Sequence, residues 1–152
     1  PRFIYEKIGY NFQILELQAA MGRVQLRKIK KIKEARKKNF DYLVKHLSMY
    51  PLLLPVYAKN ADICWFSLPL TVKEGRGVLL KHLEKHGIET RPLFSGNITK
   101  HPAYRNSKFR ISGKLEGADH ITKQSFWISV HPSLTWVDLK YIIKVFTKFY
   151  EN

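Results

Sequence analysis

The residues with the most chemical promise lie in the run Gly87-Ile88-Glu89-Thr90-Arg91-Pro92-Leu93-Phe94-Ser95-Gly96-Asn97. A strand that ends at Pro92 and enters a Ser-Gly-Asn turn presents Arg91, Phe94, Ser95 and Asn97 at a strand end, where a fixed guanidinium and amide donors can meet a polar or anionic ligand. Gly96 and Asn97 are equally the residues that make a turn, so residue type alone leaves a structural role and a binding role level. His82 and His86 stand four apart and could begin a zinc site. No Glu follows His82 in the metalloprotease pattern and no third ligand is placed, so the expectation is helix-end histidines and no metal. Ser, His and Asp occur without a Gly-x-Ser-x-Gly elbow, which leaves a hydrolytic triad unsupported.

The run from Arg27 to Lys38 puts eight cations on one helix while Ile29, Ile32 and Ala35 keep one face apolar. Together with a net charge of +15 it suits polyanionic partners, whether nucleic acid, an anionic membrane surface or phosphorylated ligands. No nucleic-acid module accompanies the charge, so a solvated helix face is the preferred reading and nucleic-acid binding is not expected.

The elements that must hold these residues are read from apolar spacing. Ile14, Leu17, Met21 and Val24, followed by Leu26, Ile29, Ile32, Phe40, Leu43 and Leu47, predict one long helix from about Ile14 to Met49, stopped by Pro51. Such a helix is about 50 Å long, more than one small domain covers, so its first part is expected to pack on something outside this chain. Cys64 to Val72 alternates as a half-buried strand, with Pro69 marking an edge or a bulge. Gly77 to His86 reads as a short helix closed by Gly87 at its C-cap, Ile88 to Leu93 as a second strand and Phe126 to Val130 as a third. Thr135 and Asp138 form the start of a last helix that buries Leu139, Ile142, Ile143, Phe146, Phe149 and Tyr150. The outcome is an α+β domain, a small antiparallel or mixed sheet covered by helices, over residues 51–152, with residues 1–50 as a leading segment and helix.

With 152 residues, of which 45% are hydrophobic, the chain can bury a core. No apolar run is long enough for a membrane span or a signal-peptide core, and the expected setting is cytoplasmic with no membrane partner. The single cysteine, Cys64, excludes an internal disulfide framework and any metal or iron–sulfur site built from this chain's thiols alone. The opening Pro1, followed by an uncapped apolar segment, reads as a cut inside a longer protein.

Three blocks carry a resemblance. Gly9-Tyr10-Asn11-Phe12 leads into Glu16-Leu17-Gln18-Ala19-Ala20-Met21-Gly22-Arg23-Val24-Gln25-Leu26. The second block is the Ile88-Glu89-Thr90-Arg91-Pro92-Leu93-Phe94-Ser95-Gly96-Asn97 segment. The third runs from Gly117-Ala118-Asp119-His120-Ile121 through Phe126-Trp127-Ile128-Ser129-Val130-His131-Pro132-Ser133-Leu134-Thr135. Together with Trp65-Phe66-Ser67-Leu68-Pro69-Leu70 they resemble the C-terminal domain of the DegT/DnrJ/EryC1/StrS sugar aminotransferase and dehydratase family, built on the aspartate-aminotransferase fold (PLP fold type I). Aminotransferases of that family carry a His-Tyr-x-Pro-x-His type loop after the arginine-bearing strand. This chain has Pro92-Leu93-Phe94-Ser95-Gly96-Asn97 there, which is more similar to the nucleotide-4-keto-6-deoxysugar 3-dehydratases, above all those acting on CDP-4-keto-6-deoxyglucose in dideoxysugar and lipopolysaccharide O-antigen synthesis.

The resemblance implies a pyridoxal- or pyridoxamine-phosphate cofactor in the parent enzyme, forming an imine with the C4 ketone of a nucleotide-linked 4-keto-6-deoxysugar before the C3 hydroxyl leaves. It implies a homodimer in which Asn11, with Tyr10 shaping its turn, reaches the cofactor phosphate of the partner subunit. It places Arg91, Phe94, Ser95, Gly96 and Asn97 against the substrate. The catalytic histidine of the dehydratases, and the cysteine cluster that holds iron–sulfur in the CDP-sugar branch, both stand upstream of the region covered here. No catalytic residue, and no cofactor bound by the isolated piece, is therefore expected. Cys64 does not match that cluster. Two alternatives stay open: transamination of a nucleotide-linked ketosugar, and a free-standing basic module that binds RNA or a protein through the Arg27 to Lys38 face.

Overall fold

The structure is a computed structural model that describes residues 10, 14–104 and 106–151. The chain forms two compact units, Pro1–Ile32 and Lys33–Asn152. Helix α1 (Glu16–Leu47) carries Glu16 in its first turn and Lys45 and His46 in its last, charges that complement the helix dipole. It ends short of Pro51, close to the bounds that the apolar spacing predicts. In the first unit its apolar residues Leu17, Met21, Val24, Leu26 and Ile29 are exposed.

Within the second unit, four strands form one sheet: β1 (Leu52–Leu53), β2 (Ser67–Val72), β3 (Thr90–Pro92) and β4 (Ser125–Ser129). Their order is β1-β2-β4-β3 and every pairing is antiparallel. Leu68, Leu70 and Val72 of β2, with Phe126 and Ile128 of β4, point to one face. On that face they join Phe40, Leu43 and Leu47 of α1, Leu79 and Leu83 of α2 (Arg76–Lys85), and Leu139, Ile142, Val145 and Phe146 of α4 (Trp136–Tyr150) in a single core. Of the residues expected inside the last helix, Ile143, Phe149 and Tyr150 are only half-buried at the rim, and Val145 takes the inner position. The remaining helix, α3 (Glu116–Gln124), feeds directly into β4.

Local chemistry explains the ends of these elements. The expected helix start is a full capping box: the Thr135 hydroxyl accepts from the Asp138 amide at 3.3 Å, and the Asp138 carboxylate accepts from the Thr135 amide at 2.7 Å. At the end of α2, His86 is the C-cap and Gly87 follows it, one position later than expected. Gly87 has φ +75, while its amide donates to the Glu84 carbonyl and the Ile88 amide donates to that of Leu83. This pair of bonds closes the helix and needs a left-handed residue, which glycine supplies at least cost.

Pro69 predicts an edge or a bulge, and β2 is interior by order. Yet β1 pairs only Thr71 and Val72. The Val130 amide donates to the Phe66 carbonyl, which phases the β2–β4 ladder so that Pro69 sits at a non-hydrogen-bonded position opposite Trp127. Its nitrogen faces the flank that β1 does not reach, and no ladder bond is lost. The expected strand from Cys64 starts at Ser67, with the Phe66 carbonyl already bonded to Val130, and Trp65 leaves the sheet to stack on Phe40 at 5.4 Å.

Candidate functional site

The far face of the sheet, opposite the helical core, carries the arginine that the sequence singles out. Arg91 of β3 lies opposite Trp127 of β4, and Trp127 lies opposite Pro69 of β2, so the three form one row across the sheet. Arg91 is exposed and paired with Glu89, two residues back on the same strand side. The chain then turns. Phe94 adopts φ +50, its amide donating to the Pro92 carbonyl at 2.8 Å, and its ring is exposed at 72%. A left-handed phenylalanine is uncommon and stores strain.

Beyond it the loop is pinned to α3. Gly96 has φ +58 and packs so tightly that a Cβ there would stand 2.2 Å from the Thr122 hydroxyl oxygen and 2.9 Å from the Thr122 Cα. The Asn97 amide donates to the Thr122 hydroxyl at 2.7 Å, and that hydroxyl donates to the Ala118 carbonyl. The Asn97 side chain is buried. Its Nδ2 donates to Asp119 at 2.7 Å, and its Oδ1 accepts from the amide and hydroxyl of Thr99, capping the short 3-10 turn Ile98–Lys100. His101 Nε2 donates to the Ser95 carbonyl at 3.0 Å, leaving the Ser95 hydroxyl at the surface. Arg91, Phe94 and Ser95 are therefore presented outward, while Gly96 and Asn97 hold the loop that presents them.

Asp119 is the electrostatic anchor of this loop. The Lys100 ammonium at 2.6 Å and then the Asn97 amide hold its carboxyl below the usual aspartate value of 3.8. A depressed carboxylate contributes stability that is present above its unfolded pKa and is lost as pH falls through its folded pKa. Melting curves taken between neutral pH and about pH 3 should therefore show an acid limb for the wild type that Asp119→Asn flattens, with the variant already less stable at neutral pH. Parallel curves would remove the anchor role.

Two aromatic residues of the same face were not singled out by the sequence. Phe66 meets Trp127 edge-on at 5.5 Å and 76°, and meets Phe94 at 6.4 Å and 62°. For Trp127 the legible signal is parity: in β4 the even residues Phe126 and Ile128 fill the core, so Trp127 must stand on the opposite face. Phe66 shares the parity of Leu68, and alternation would put it in the core, yet it is exposed and reaches Trp127 from just outside β2.

Other candidates resolve differently. Asn11 and Gly9 lie outside the described residues, and Tyr10 is exposed. His82 Nε2 donates to the Val145 carbonyl at 3.1 Å and His86 Nδ1 to the His82 carbonyl at 2.8 Å. Among the described residues no group of three or more His, Cys, Asp or Glu side chains comes together for a metal. In the basic helix Lys33 pairs with Asp62, Lys37 with Asp41, and Arg36 donates to the Trp65 carbonyl at 3.4 Å. Among the described residues no helix is long and apolar enough to cross a membrane.

Comparison with known proteins places this geometry. The chain is 39% identical to the lipopolysaccharide biosynthesis protein RfbH of Salmonella typhimurium, over 98% of this chain and 36% of that protein. It is 36% identical to the dTDP-4-dehydro-2,6-dideoxy-D-glucose 3-dehydratase of Saccharopolyspora spinosa, over 97% of this chain and 33% of that one. It thus spans about a third of the length of these relatives. The crystal structure of a GDP-4-keto-6-deoxymannose-3-dehydratase with a trapped PLP–glutamate geminal diamine superposes with a TM-score of 0.82 at 25% identity, over 94% of this chain and 38% of that one. A DegT/DnrJ/EryC1/StrS aminotransferase from Brucella abortus gives a TM-score of 0.89 at 20% identity, over all of this chain and 40% of that one, which bears on the fold alone. The α+β architecture is that of the C-terminal portion of PLP fold type I chains. Matched from residue 1 to residue 147, the chain belongs to the DegT/DnrJ/EryC1/StrS aminotransferase family.

Proposed function

We propose that this chain is the C-terminal part of a cytoplasmic, homodimeric nucleotide-4-keto-6-deoxyhexose 3-dehydratase that uses pyridoxal or pyridoxamine phosphate, and that its share of the work is substrate placement. The observation that carries the reading is the relatives' naming: among the curated relatives, three of those matched over four-fifths or more of this chain are 3-dehydratases of nucleotide-linked keto-deoxysugars. The loop geometry agrees with it. Arg91 offers a planar cation to a phosphate, Phe94 a ring and Ser95 a hydroxyl, on a loop held rigid by Gly96, Asn97 and Asp119.

The Asn97 amide, buried in the loop, has both ends of its side chain occupied and is not free to hold a cofactor phosphate. The cofactor, when bound, supplies the electron sink that lets the C3 hydroxyl depart. This chain's described residues act on the sugar nucleotide and exclude solvent around it. Asn11 and Tyr10 remain the proposed contacts to the cofactor phosphate across the dimer.

The test is product analysis. The polypeptide that contains this chain, supplied with pyridoxamine phosphate and a nucleotide-linked 4-keto-6-deoxyhexose, should release water from C3. A 4-amino sugar as the sole product would replace dehydration by transamination, and inertness toward every such substrate would remove both.

A further inference from the structure

We infer that the outer face of the helical layer, where α1 meets α4, docks on the anionic headgroups of a phospholipid membrane. Lys38, Lys45, Lys140 and Lys144 supply the cations, and Trp136 and Val137 the apolar contacts. The face lies on the opposite side of the sheet from Arg91, and the inference is independent of the proposed reaction. It replaces the expectation of no membrane partner, which rested on the lack of a span, because a protein can lie on a bilayer without crossing it.

The centre of the face is aromatic. Trp136, the first residue of α4, is 50% exposed and packs on Tyr42 of α1 with ring centroids 4.5 Å apart, and Tyr42 meets His46 one turn on at 4.3 Å. The Lys140 ammonium stands 5.3 Å from the centre of the Trp136 ring, which couples charge to ring. Along α4, Lys140 and Lys144 follow Trp136 at four-residue spacing, turned away from the buried Leu139, Ile142 and Phe146. Val137 beside them is 74% exposed. Along α1, Lys38 and Lys45 lie one turn to either side of Tyr42, and exposed Met49 extends the row.

The charge is uncompensated. All four lysines are exposed, and among the described residues none of them is in an ion pair. Nearby carboxylates are engaged or set aside: Asp41 pairs with Lys37, Asp138 closes the capping box and lines a cleft toward Glu89, and Glu34 stands one turn beyond Lys38 at the margin. A half-exposed tryptophan among lysines suits the boundary between headgroups and acyl chains. A nucleic acid would need open ring faces for its bases, whereas Lys140 stands over the Trp136 ring and Tyr42 packs against it at 59°. A second copy of this chain would bring lysines against lysines. Only an anionic, partly apolar surface complements both features.

The experiment is vesicle co-sedimentation of the polypeptide that contains this chain, with phosphatidylglycerol mixed into phosphatidylcholine and with phosphatidylcholine alone. Each lysine near an anionic surface contributes about fivefold, so at low salt the anionic vesicles should bind at least about a hundredfold more tightly than the neutral ones. Added salt should erode that advantage. Lys140→Glu together with Lys144→Glu should weaken binding by at least about 25-fold, and Trp136→Ser by about fivefold through lost apolar contact. Val137→Asp, at an exposed position, keeps the apolar arm testable if Trp136→Ser does not fold. Lys30→Glu with Lys31→Glu, in the basic run of the first unit, should cost less than the α4 pair. No binding to anionic vesicles, equal binding to neutral ones, or unchanged affinity in the folded lysine or apolar variants would overturn the inference. So would a larger loss at Lys30 and Lys31. Binding of a single-stranded RNA that depends on Lys140 and Lys144, without vesicle binding, would give the face to nucleic acid instead.

Discussion

Replacing Phe126 by alanine should cost about 3–5 kcal/mol of stability, the range for removing a large buried ring from a packed core. Phe126 is fully buried in β4, the strand flanked by both β2 and β3, with Leu70 and Pro92 as its cross-strand partners. The cavity therefore opens in the middle of the sheet, where the backbone is bonded on both sides and cannot collapse inward. Against a total stability of about 5–15 kcal/mol for a domain this size, the variant should be close to unfolded at physiological temperature. Urea unfolding followed by far-ultraviolet circular dichroism measures it as a fall in midpoint at constant slope. Phe126→Leu, which keeps most of the volume, should lose far less. A loss under about 1 kcal/mol for the alanine variant would mean that α1, α2 and α4 are not clamped on this face as described.

The second large effect is expected at Gly96→Ala. Two penalties act together there. The φ of +58 sits in the left-handed region, and the new methyl would stand 2.2 Å from the Thr122 hydroxyl oxygen, 2.8 Å from its Cβ and 2.9 Å from its Cα. Rotating Thr122 removes only the first of these contacts, since the backbone atom stays. The loop must lift off α3, breaking the Asn97 bonds to Thr122 and Asp119. We expect a loss of about 2–4 kcal/mol, with faster amide exchange at Asn97 and Thr99 and little change at Ile128. Uniform acceleration across the sheet would instead mean that this loop is part of the folding core.

What the sequence revealed follows the range of the interactions involved. Thr135 and Asp138 were readable because a capping box is a contact between residues three apart. The strand around Phe126 and the helix ending near Leu47 were readable because periodicity is also local. Leu52–Leu53 escaped notice, since two residues carry no period and their pairing with Thr71 and Val72 is set by the rest of the sheet. The same holds at the site. Arg91 and Phe94 share one strand and turn, so the sequence brings them together unaided. Phe66 and Trp127 meet only because β2 and β4 pair in one register. Asn97 shows the converse: its residue type suits a ligand as well as a turn, and only the positions of Thr99 and Asp119 show that its amide is spent within the loop.

The two-residue length of β1 has a consequence for how this domain behaves in a crowded solution. Ser67, Leu68 and Leu70 are at most 5% exposed, so the flank of β2 that β1 does not pair is closed to strand addition, the route by which exposed edges recruit other chains into aggregates. Half-buried Pro69 has no backbone donor there, so a strand that displaced the covering residues would still find its ladder broken.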